Sequence, residues 1–129
     1  MRFATSGTEA VLMAMRSTDR TGRVVVCGSS NPEYIETLKT YFTNKPTETI
    51  VVPAPKGVVD VAGLGSIVND QTACVVVQQP NFFGCLEAVE AIGKVAHAAG
   101  ALLVVAFDPL GPGLLKRPGD VGADIAVAE

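Results

Sequence analysis

The sequence predicts a single three-layer α/β/α domain built on a mostly parallel sheet of five strands. Two observations favour this class. Short, β-branched apolar runs alternate along the chain with longer stretches that have helical periodicity. The apolar runs show no polar alternation, which is typical of strands buried on both faces of a parallel sheet. Because the chain has 129 residues and 48% of them are apolar, we expect residues 1–129 to form one domain with a packed core.

The predicted strands are the continuous apolar runs, numbered one to five in chain order. They are Arg23–Cys27, Thr49–Val52, Thr72–Val77, Ala101–Phe107 and Ile125–Ala128. In a parallel sheet of this kind, ligands bind beyond the carboxyl ends of the strands. We therefore expect function in the loops Gly28–Pro32, Gln78–Gly84 and Asp108–Gly113.

The predicted helices are bounded by capping residues. The first begins near Gly7, with Ser6 or Thr5 as its cap. The other three are Asn31 to about Phe42, a weak helix at Asp60–Val68 that contains two glycines, and Leu86–Ala99 closed by Gly100.

Composition excludes several classes of function. A net charge of −3 and a pI near 5.1, without a basic stripe, argue against nucleic-acid binding. The apolar runs are far shorter than the roughly 20 residues that cross a membrane, and Met1–Arg16 lacks the zones of a signal peptide, so we expect a cytoplasmic protein. Cys27, Cys74 and Cys85 share no metal-ligand spacing, which predicts reduced, mostly buried thiols and no metal site.

The segment Thr5-Ser6-Gly7-Thr8-Glu9 is a candidate anion site. At a helix start, free N–H groups, two hydroxyls and the positive end of the helix dipole point the same way. The alternative interpretation is an ordinary helix cap, and this motif alone does not decide between the two.

Asp108 directly follows an apolar strand, where a carboxylate can hold a protonated ring nitrogen or cap the next turn. The segment Gln78–Gly84 closes the neighbouring strand with amides that can bind a ligand, while Phe82 and Phe83 can equally face a partner. His97 is interpreted as a histidine favoured by the dipole at a helix C-terminus rather than as a catalytic group. The absence of GxGxxG, Walker and GxSxG motifs weakens nucleotide-binding and hydrolase hypotheses.

Several longer segments together resemble one family, the alpha subunits of glycine decarboxylase, the P-protein of the glycine cleavage system. The resemblance covers nearly the whole chain in one register. It is carried by Thr5–Ala10, Asn31–Tyr34, Val76–Gly84, Ala96–Val105, Asp108–Leu110, Gly113–Leu115 and Gly122–Ile125. The string Gln79-Pro80-Asn81-Phe82-Phe83-Gly84 is the most specific, whereas Ser6-Gly7-Thr8-Glu9-Ala10 is common to many fold-type I pyridoxal-phosphate enzymes.

The resemblance implies part of a large domain with a seven-stranded sheet, of which this chain holds five strands in the order 2-1-3-4-5. It also implies positions for pyridoxal phosphate. Ser6, Gly7 and Thr8 match the phosphate cup, and Asp108 matches the carboxylate of the pyridine nitrogen. Asn81 lies in the loop near the ring oxygen, and Asn31, at the start of the second helix, is a further candidate contact of the cofactor.

The sequence departs from the family at two points. Asn31 stands where the family usually has a histidine that stacks on the cofactor, and no lysine stands where the family anchors the cofactor, since neither Lys94 nor Lys116 corresponds to that position. In two-subunit P-proteins that lysine belongs to the beta subunit. The resemblance therefore implies a subunit with no catalytic residue of its own, which works with the beta subunit and with the lipoyl H-protein.

Three hypotheses follow. The chain is a fragment or reduced copy of the alpha subunit, or a free-standing α/β module that binds a small anion or a protein, or, least favoured, a nucleotide-binding domain. Glu129 follows a strand by one residue, which is an unusual place for a domain to end. We expect strand five to lie at an open edge, and we expect the isolated chain to form a homo-oligomer through that edge or through Phe82-Phe83.

Overall fold

A computed structural model describes residues 2–4, 6–54, 57–79, 88–107 and 122–128. In these ranges the chain forms alternating strands and helices. They are β1 (Arg2–Ala4), α1 (Gly7–Thr18), β2 (Arg23–Cys27), α2 (Pro32–Phe42), β3 (Glu48–Val52), α3 (Val61–Ile67), β4 (Thr72–Gln79), α4 (Val89–Ala98), β5 (Leu102–Phe107) and β6 (Ile125–Ala128). Within the described residues, no helix is both long and apolar enough to cross a bilayer.

The strands form one sheet in the order β1-β6-β5-β4-β2-β3, and every pair of neighbours is parallel. The five predicted strands correspond to β2–β6, so the predicted order 2-1-3-4-5 is confirmed. The helices pack on both faces, which gives the predicted three layers. Residues of α1 and α2 share one core cluster, and residues of α3 and α4 share the other.

Alternate strand residues point into these two clusters, as the period of a strand requires. Val25 and Leu103 face α3 and α4, while Val26 and Val104 face α1 and α2. All four side chains are fully or almost fully buried. The unbroken apolar runs of the sequence are therefore strands covered by helices on both sides.

The prediction of an open edge at β6 is wrong. The short strand β1, which the sequence analysis missed, pairs in parallel with β6, with Arg2 opposite Ile125 and Ala4 opposite Val127. The described sheet therefore has six strands. A three-residue strand has too few positions to show a period, and β1 is recognised by its pairing with β6. The homo-oligomer thus loses one of its two predicted interfaces, and the other, Phe82-Phe83, lies outside the described residues.

Polar side chains tie the elements together at the amino edge of the sheet. The Arg20 guanidinium donates to the carbonyl oxygens of Thr72 (3.1 Å) and Ala99 (2.7 Å), and so joins β4 to the end of α4. His97, in the last turn of α4 as predicted, lies 2.7 Å from Asp124, just before β6. Arg20 and His97 thus connect neighbouring elements at the amino edge of the sheet.

Candidate functional site

The starts of two helices meet at the carboxyl edge of the sheet. Helix α1 follows β1 and helix α2 follows β2, and β1 and β2 belong to the same parallel sheet. Since the carboxyl ends of parallel strands share one edge, both helices direct the positive end of their dipole to that edge. This is the edge where the sequence analysis expects a ligand.

Ser6 caps helix α1. Its extended backbone precedes the helix, and its Oγ accepts a hydrogen bond from the Glu9 N–H at 3.2 Å. The first hydrogen bond of the helix runs from the Ala10 N–H to the Ser6 carbonyl, so the N–H groups of Gly7 and Thr8 precede the intrahelical ladder. Ser6 is exposed and Thr8 is half-buried, so solvent reaches this turn. The helix cap and the anion site proposed for this segment are therefore compatible.

Gly7 is buried beneath the ring of Tyr34, a residue in the first turn of α2. A Cβ built on Gly7 would overlap Cε2, Cζ and the hydroxyl oxygen of Tyr34. Real Cβ atoms essentially never approach a neighbouring heavy atom to less than 3.0 Å, and all three distances would be well below that limit. Only glycine therefore lets the two helix starts approach this closely. The Gly7–Tyr34 contact fixes the first turn of α1, the candidate anion site, against α2.

Asn31 has a capping role that uses the side-chain oxygen. Its Oδ1 accepts a hydrogen bond from the Glu33 N–H at 2.9 Å, and its carbonyl accepts one from the Ile35 N–H at 3.1 Å. The cap anticipated from Asn31-Pro32-Glu33 is thus confirmed. The predicted contact of Asn31 with a cofactor stays a prediction, and its Oδ1 is already engaged by the helix.

The end of β4 contacts the start of α2. Gln78 Oε1 accepts a hydrogen bond from the Asn31 N–H at 2.8 Å, across 47 positions of sequence. In the loop between β2 and α2, Gly28 donates to the Val52 carbonyl at 2.7 Å, and a Cβ at Gly28 would lie 2.5 Å from that oxygen. Ser30 is 4% exposed, and its Oγ has no hydrogen-bond partner within the described residues. The loop between β2 and α2 therefore has a tightly fixed backbone and a buried hydroxyl.

Two predicted site residues, Asn81 and Asp108, lie outside the described residues, as does Cys85. Phe107, which precedes Asp108 in the sequence, is the last residue of β5 and pairs with Gln79 of β4 and Ala128 of β6. The carboxyl end of β5 thus lies at the same edge as the start of α1. The roles predicted for Asn81 and Asp108 stay predictions.

No lysine in the described part of the chain lies at this edge. Lys39 is in the last turn of α2, and Lys45, which follows that helix, packs its ammonium over the Tyr41 ring at 4.1 Å. Lys94 is exposed in the middle of α4. Lys56 and Lys116 lie outside the described residues. Each described lysine is therefore remote from the turn of Ser6, Gly7 and Thr8.

The two described cysteines, Cys27 and Cys74, are buried thiols, as predicted, and neither forms a disulfide within the described residues. Burial raises the pKa of the Cys74 thiol to about 12, so the thiol stays protonated at neutral pH and is a poor nucleophile. Among the described residues, no group of three or more His, Cys, Asp or Glu side chains is placed to hold a metal ion.

Two contributors to the edge were missed by sequence reasoning. The aromatic residue three positions after a helix cap, Tyr34, is a signal for packing at a helix start, but nothing in the sequence links it to Gly7. Gln78 was recognised as an amide at a strand end, but its hydrogen bond to Asn31 depends on the β2–β4 adjacency in the sheet.

Comparisons with known proteins identify the family of the chain. The sequence model of the family described as "Glycine cleavage system P-protein" matches residues 2–129. The chain is 52% identical over 127 residues to a probable glycine dehydrogenase (decarboxylating) subunit 1 of Chlorobium chlorochromatii, covering 98% of this chain and 28% of the relative. It is 47% identical over 121 residues to the protein of the same name from Carboxydothermus hydrogenoformans, covering 94% of this chain and 27% of that relative.

Solved structures confirm the predicted fold. A crystal structure of a glycine decarboxylase (P-protein) of the glycine cleavage system, in inhibitor-bound form, superimposes with a TM-score of 0.81 at 39% identity and covers 91% of this chain and 26% of that one. The metB protein of Corynebacterium glutamicum matches with a TM-score of 0.69 at 23% identity, over 92% of this chain and 30% of that one, and this match speaks for the fold alone. The chain thus spans about a quarter of the length of the relatives it matches.

Proposed function

The chain belongs to the glycine cleavage system P-protein family, and from this premise we propose that it forms the phosphate-binding side of a pyridoxal-phosphate site in a glycine decarboxylase. In this proposal it belongs to the subunit that lacks the cofactor-anchoring lysine. It acts together with the beta subunit, which supplies that lysine, and with the lipoyl H-protein, which accepts the aminomethyl group. The chain by itself is inactive.

The observation that carries the proposal is the first turn of α1 at the carboxyl edge of the sheet. The N–H groups of Gly7 and Thr8 precede the intrahelical hydrogen bonds, and the exposed Ser6 leaves the turn open to an anion. This geometry fits a phosphate group. The hydroxyl of Ser30, which is buried in the neighbouring loop and has no hydrogen-bond partner among the residues that the structure describes, fits a polar ligand at the same edge.

Each residue of the proposed site binds the cofactor or orients a group that does. The N–H groups of Gly7 and Thr8 bind the phosphate, with the Thr8 hydroxyl as a further donor. Asn31 and Tyr34 position the adjacent helix start, and Asn81 and Asp108 are proposed to contact the ring. When bound, pyridoxal phosphate supplies an electron sink for the decarboxylation of glycine. The described lysines lie away from this edge, which supports the assignment of the anchoring amine to the partner subunit.

Phosphate titration of the ¹⁵N-labelled chain tests the binding turn. We expect the amide signals of Gly7 and Thr8 to move in a saturable way with inorganic phosphate. The amides at the start of α3 provide an internal control, because the Asp60 carboxylate caps that helix and repels anions. Unmoved signals at Gly7 and Thr8, or equal shifts at the start of α3, would contradict the proposal.

Borohydride reduction tests the missing amine. With pyridoxal phosphate and the chain alone, we expect no modification that concentrates on one lysine. With the beta subunit added, we expect one modified lysine, and we expect it in that subunit. A reduced adduct mapped to a single lysine of the present chain would refute the assignment.

A second candidate is the free-standing binding module. It is favoured by one observation, the pairing of β1 with β6, which leaves a strand of only three residues rather than β6 at this end of the described sheet, and very short edge strands discourage association. Co-purification with the beta subunit separates the two candidates. A stable complex supports the subunit function, whereas phosphate binding without any complex supports the module.

A further inference from the structure

A side-chain hydrogen bond joins the end of β4 to the start of α2. Gln78 Oε1 accepts from the Asn31 N–H at 2.8 Å, and the contact is partly buried. Gln78 is held in turn by the sheet, since it pairs with Ala106 of β5 inside an all-parallel ladder. The sheet therefore fixes the backbone of Gln78, and the Gln78 side chain connects the Asn31 backbone to it.

Asn31 is bonded to the first turn of helix α2, so the position of Asn31 determines the position of that turn. Its Oδ1 and its carbonyl accept hydrogen bonds from Glu33 and Ile35, so the cap and the first turn behave as one unit. The N–H that bonds Gln78 is the one backbone donor of Asn31, and it points out of the helix toward the sheet. A shift of Asn31 would therefore carry the first turn of α2 with it.

The first turn of α2 in turn contacts the first turn of α1. Tyr34 lies three residues after Asn31, and its ring occupies the space in which Gly7 would carry a side chain. A small displacement of α2 would slide the ring over Gly7. The three elements β4, α2 and α1 thus form a contiguous chain of contacts that ends at the turn of Ser6, Gly7 and Thr8.

We propose that Gln78 is a positioning residue for this turn: by accepting the Asn31 N–H it fixes the start of α2, and through Tyr34 it holds Gly7 and Thr8 in their binding geometry. The anion-binding part of this inference rests on the function proposed above. The mechanical part, from Gln78 to Gly7, does not.

Two substitutions separate the hydrogen bond from the shape of the side chain. Gln78→Met keeps the length but removes the acceptor, and Gln78→Glu keeps an acceptor oxygen. Thr37→Ala is the matched control, because it removes a hydrogen bond of similar length, 2.8 Å to the Glu33 carbonyl, from the same helix without touching β4. Amide spectra and phosphate affinities of the 129-residue chain are measured for all three variants.

For Gln78→Met we expect the Asn31 amide signal to move upfield and the Gly7 amide signal to move as well, although Gly7 is not bonded to Gln78. Phosphate binding should weaken about fivefold, the effect of one hydrogen bond. Gln78→Glu should keep both amide signals near their original positions. Thr37→Ala should leave the Gly7 signal and the phosphate affinity unchanged. If Gln78→Met does not fold, Gln78→Asn, whose shorter amide cannot reach Asn31, replaces it.

The outcomes distinguish the two proposals. A lower melting temperature of Gln78→Met with an unmoved Gly7 signal would show that Gln78 is only structural and would overturn the inference. Equal shifts at Gly7 in Gln78→Met and Thr37→Ala would also overturn it. A moved Gly7 signal in a chain that binds no phosphate at all would support the positioning role and contradict the anion-binding function.

Discussion

The substitution Gly7→Ala tests the contact between the two helix starts. The backbone of Gly7 does not have a positive φ, so alanine is allowed there and the effect is one of space alone. The new methyl would overlap three atoms of the Tyr34 ring. Ring and helix must separate, and overpacking of this kind costs about 1–3 kcal/mol.

Gly65→Ala is the matched control. Gly65 also lies in a helix, α3, but a Cβ built there meets no heavy atom within 4 Å. Alanine in a helix interior is favoured over glycine by about 1 kcal/mol, so this variant should be more stable than the parent. Urea denaturation gives the free energy of unfolding of both variants, provided that the slope with denaturant stays constant. We expect the two changes to have opposite signs.

A double-mutant cycle with Tyr34→Ala identifies the cause. When the ring is absent, Gly7→Ala should cost little, which gives a coupling energy of about 1–2 kcal/mol between the two positions. Two results would refute the reasoning: a Gly7→Ala variant within about 0.5 kcal/mol of the parent, or a penalty that persists unchanged after Tyr34→Ala. Either result would mean that the two helix starts are not held by this contact.

Three further predictions concern the rest of the sheet. Arg20→Met removes the donor to backbone carbonyls of β4 and of the end of α4, and should lower the free energy of unfolding by about 2 kcal/mol, whereas the exposed Arg16→Met should change it by no more than about 0.5 kcal/mol, both measured by urea denaturation. Burial raises the pKa of Cys74 from 9.0 to about 12, so the folded state holds the thiol proton more tightly than the unfolded state does. The protonated thiol therefore makes its full contribution to the free energy of unfolding below pH 9.0, and this contribution should be lost as the pH rises toward about 12. A control Cys74→Ala chain should lack this part of the pH dependence of unfolding. Asp124 Oδ2 accepts from the Leu103 N–H at 2.7 Å, so Asp124→Ala should speed hydrogen exchange at Leu103, and unchanged protection there would count against the bond.

The sequence predicted most of the sheet because its strands are buried on both faces. In a chain with intervening helices, an apolar run such as that of β2 or β5 indicates a strand covered by helices on both faces. The predicted bounds of β2 and β6 agree with the structure to the residue. Helix starts were predictable for a different reason. The side chain of a capping residue accepts a hydrogen bond from an N–H group two or three residues later, so a helix start depends on neighbouring residues alone. The starts of three helices are capped in this way, by Ser6, Asn31 and Asp60.

The contacts that shape the candidate site were not predictable in this way. The bond between Gln78 and Asn31 spans 47 positions, and it exists only because β2 and β4 are neighbours in the sheet. The packing of Tyr34 on Gly7 likewise depends on how α1 and α2 lie on one face. Local patterns supply the residues of the site, whereas the sheet order decides which of them meet.

Strand β1 shows why the order of the sheet matters for function. Its three residues carry no periodic pattern, and it was the one described strand that the sequence analysis missed. Yet its parallel pairing with β6 is what brings the end of the strand, and so the start of α1, to the carboxyl edge. Had the segment paired antiparallel, the same Ser6, Gly7 and Thr8 would cap a helix at the opposite edge, far from Asn31 and Gln78. The position of the candidate anion-binding turn is thus a product of tertiary pairing, and its composition alone, shared by ordinary helix caps, does not decide between a cap and a binding site.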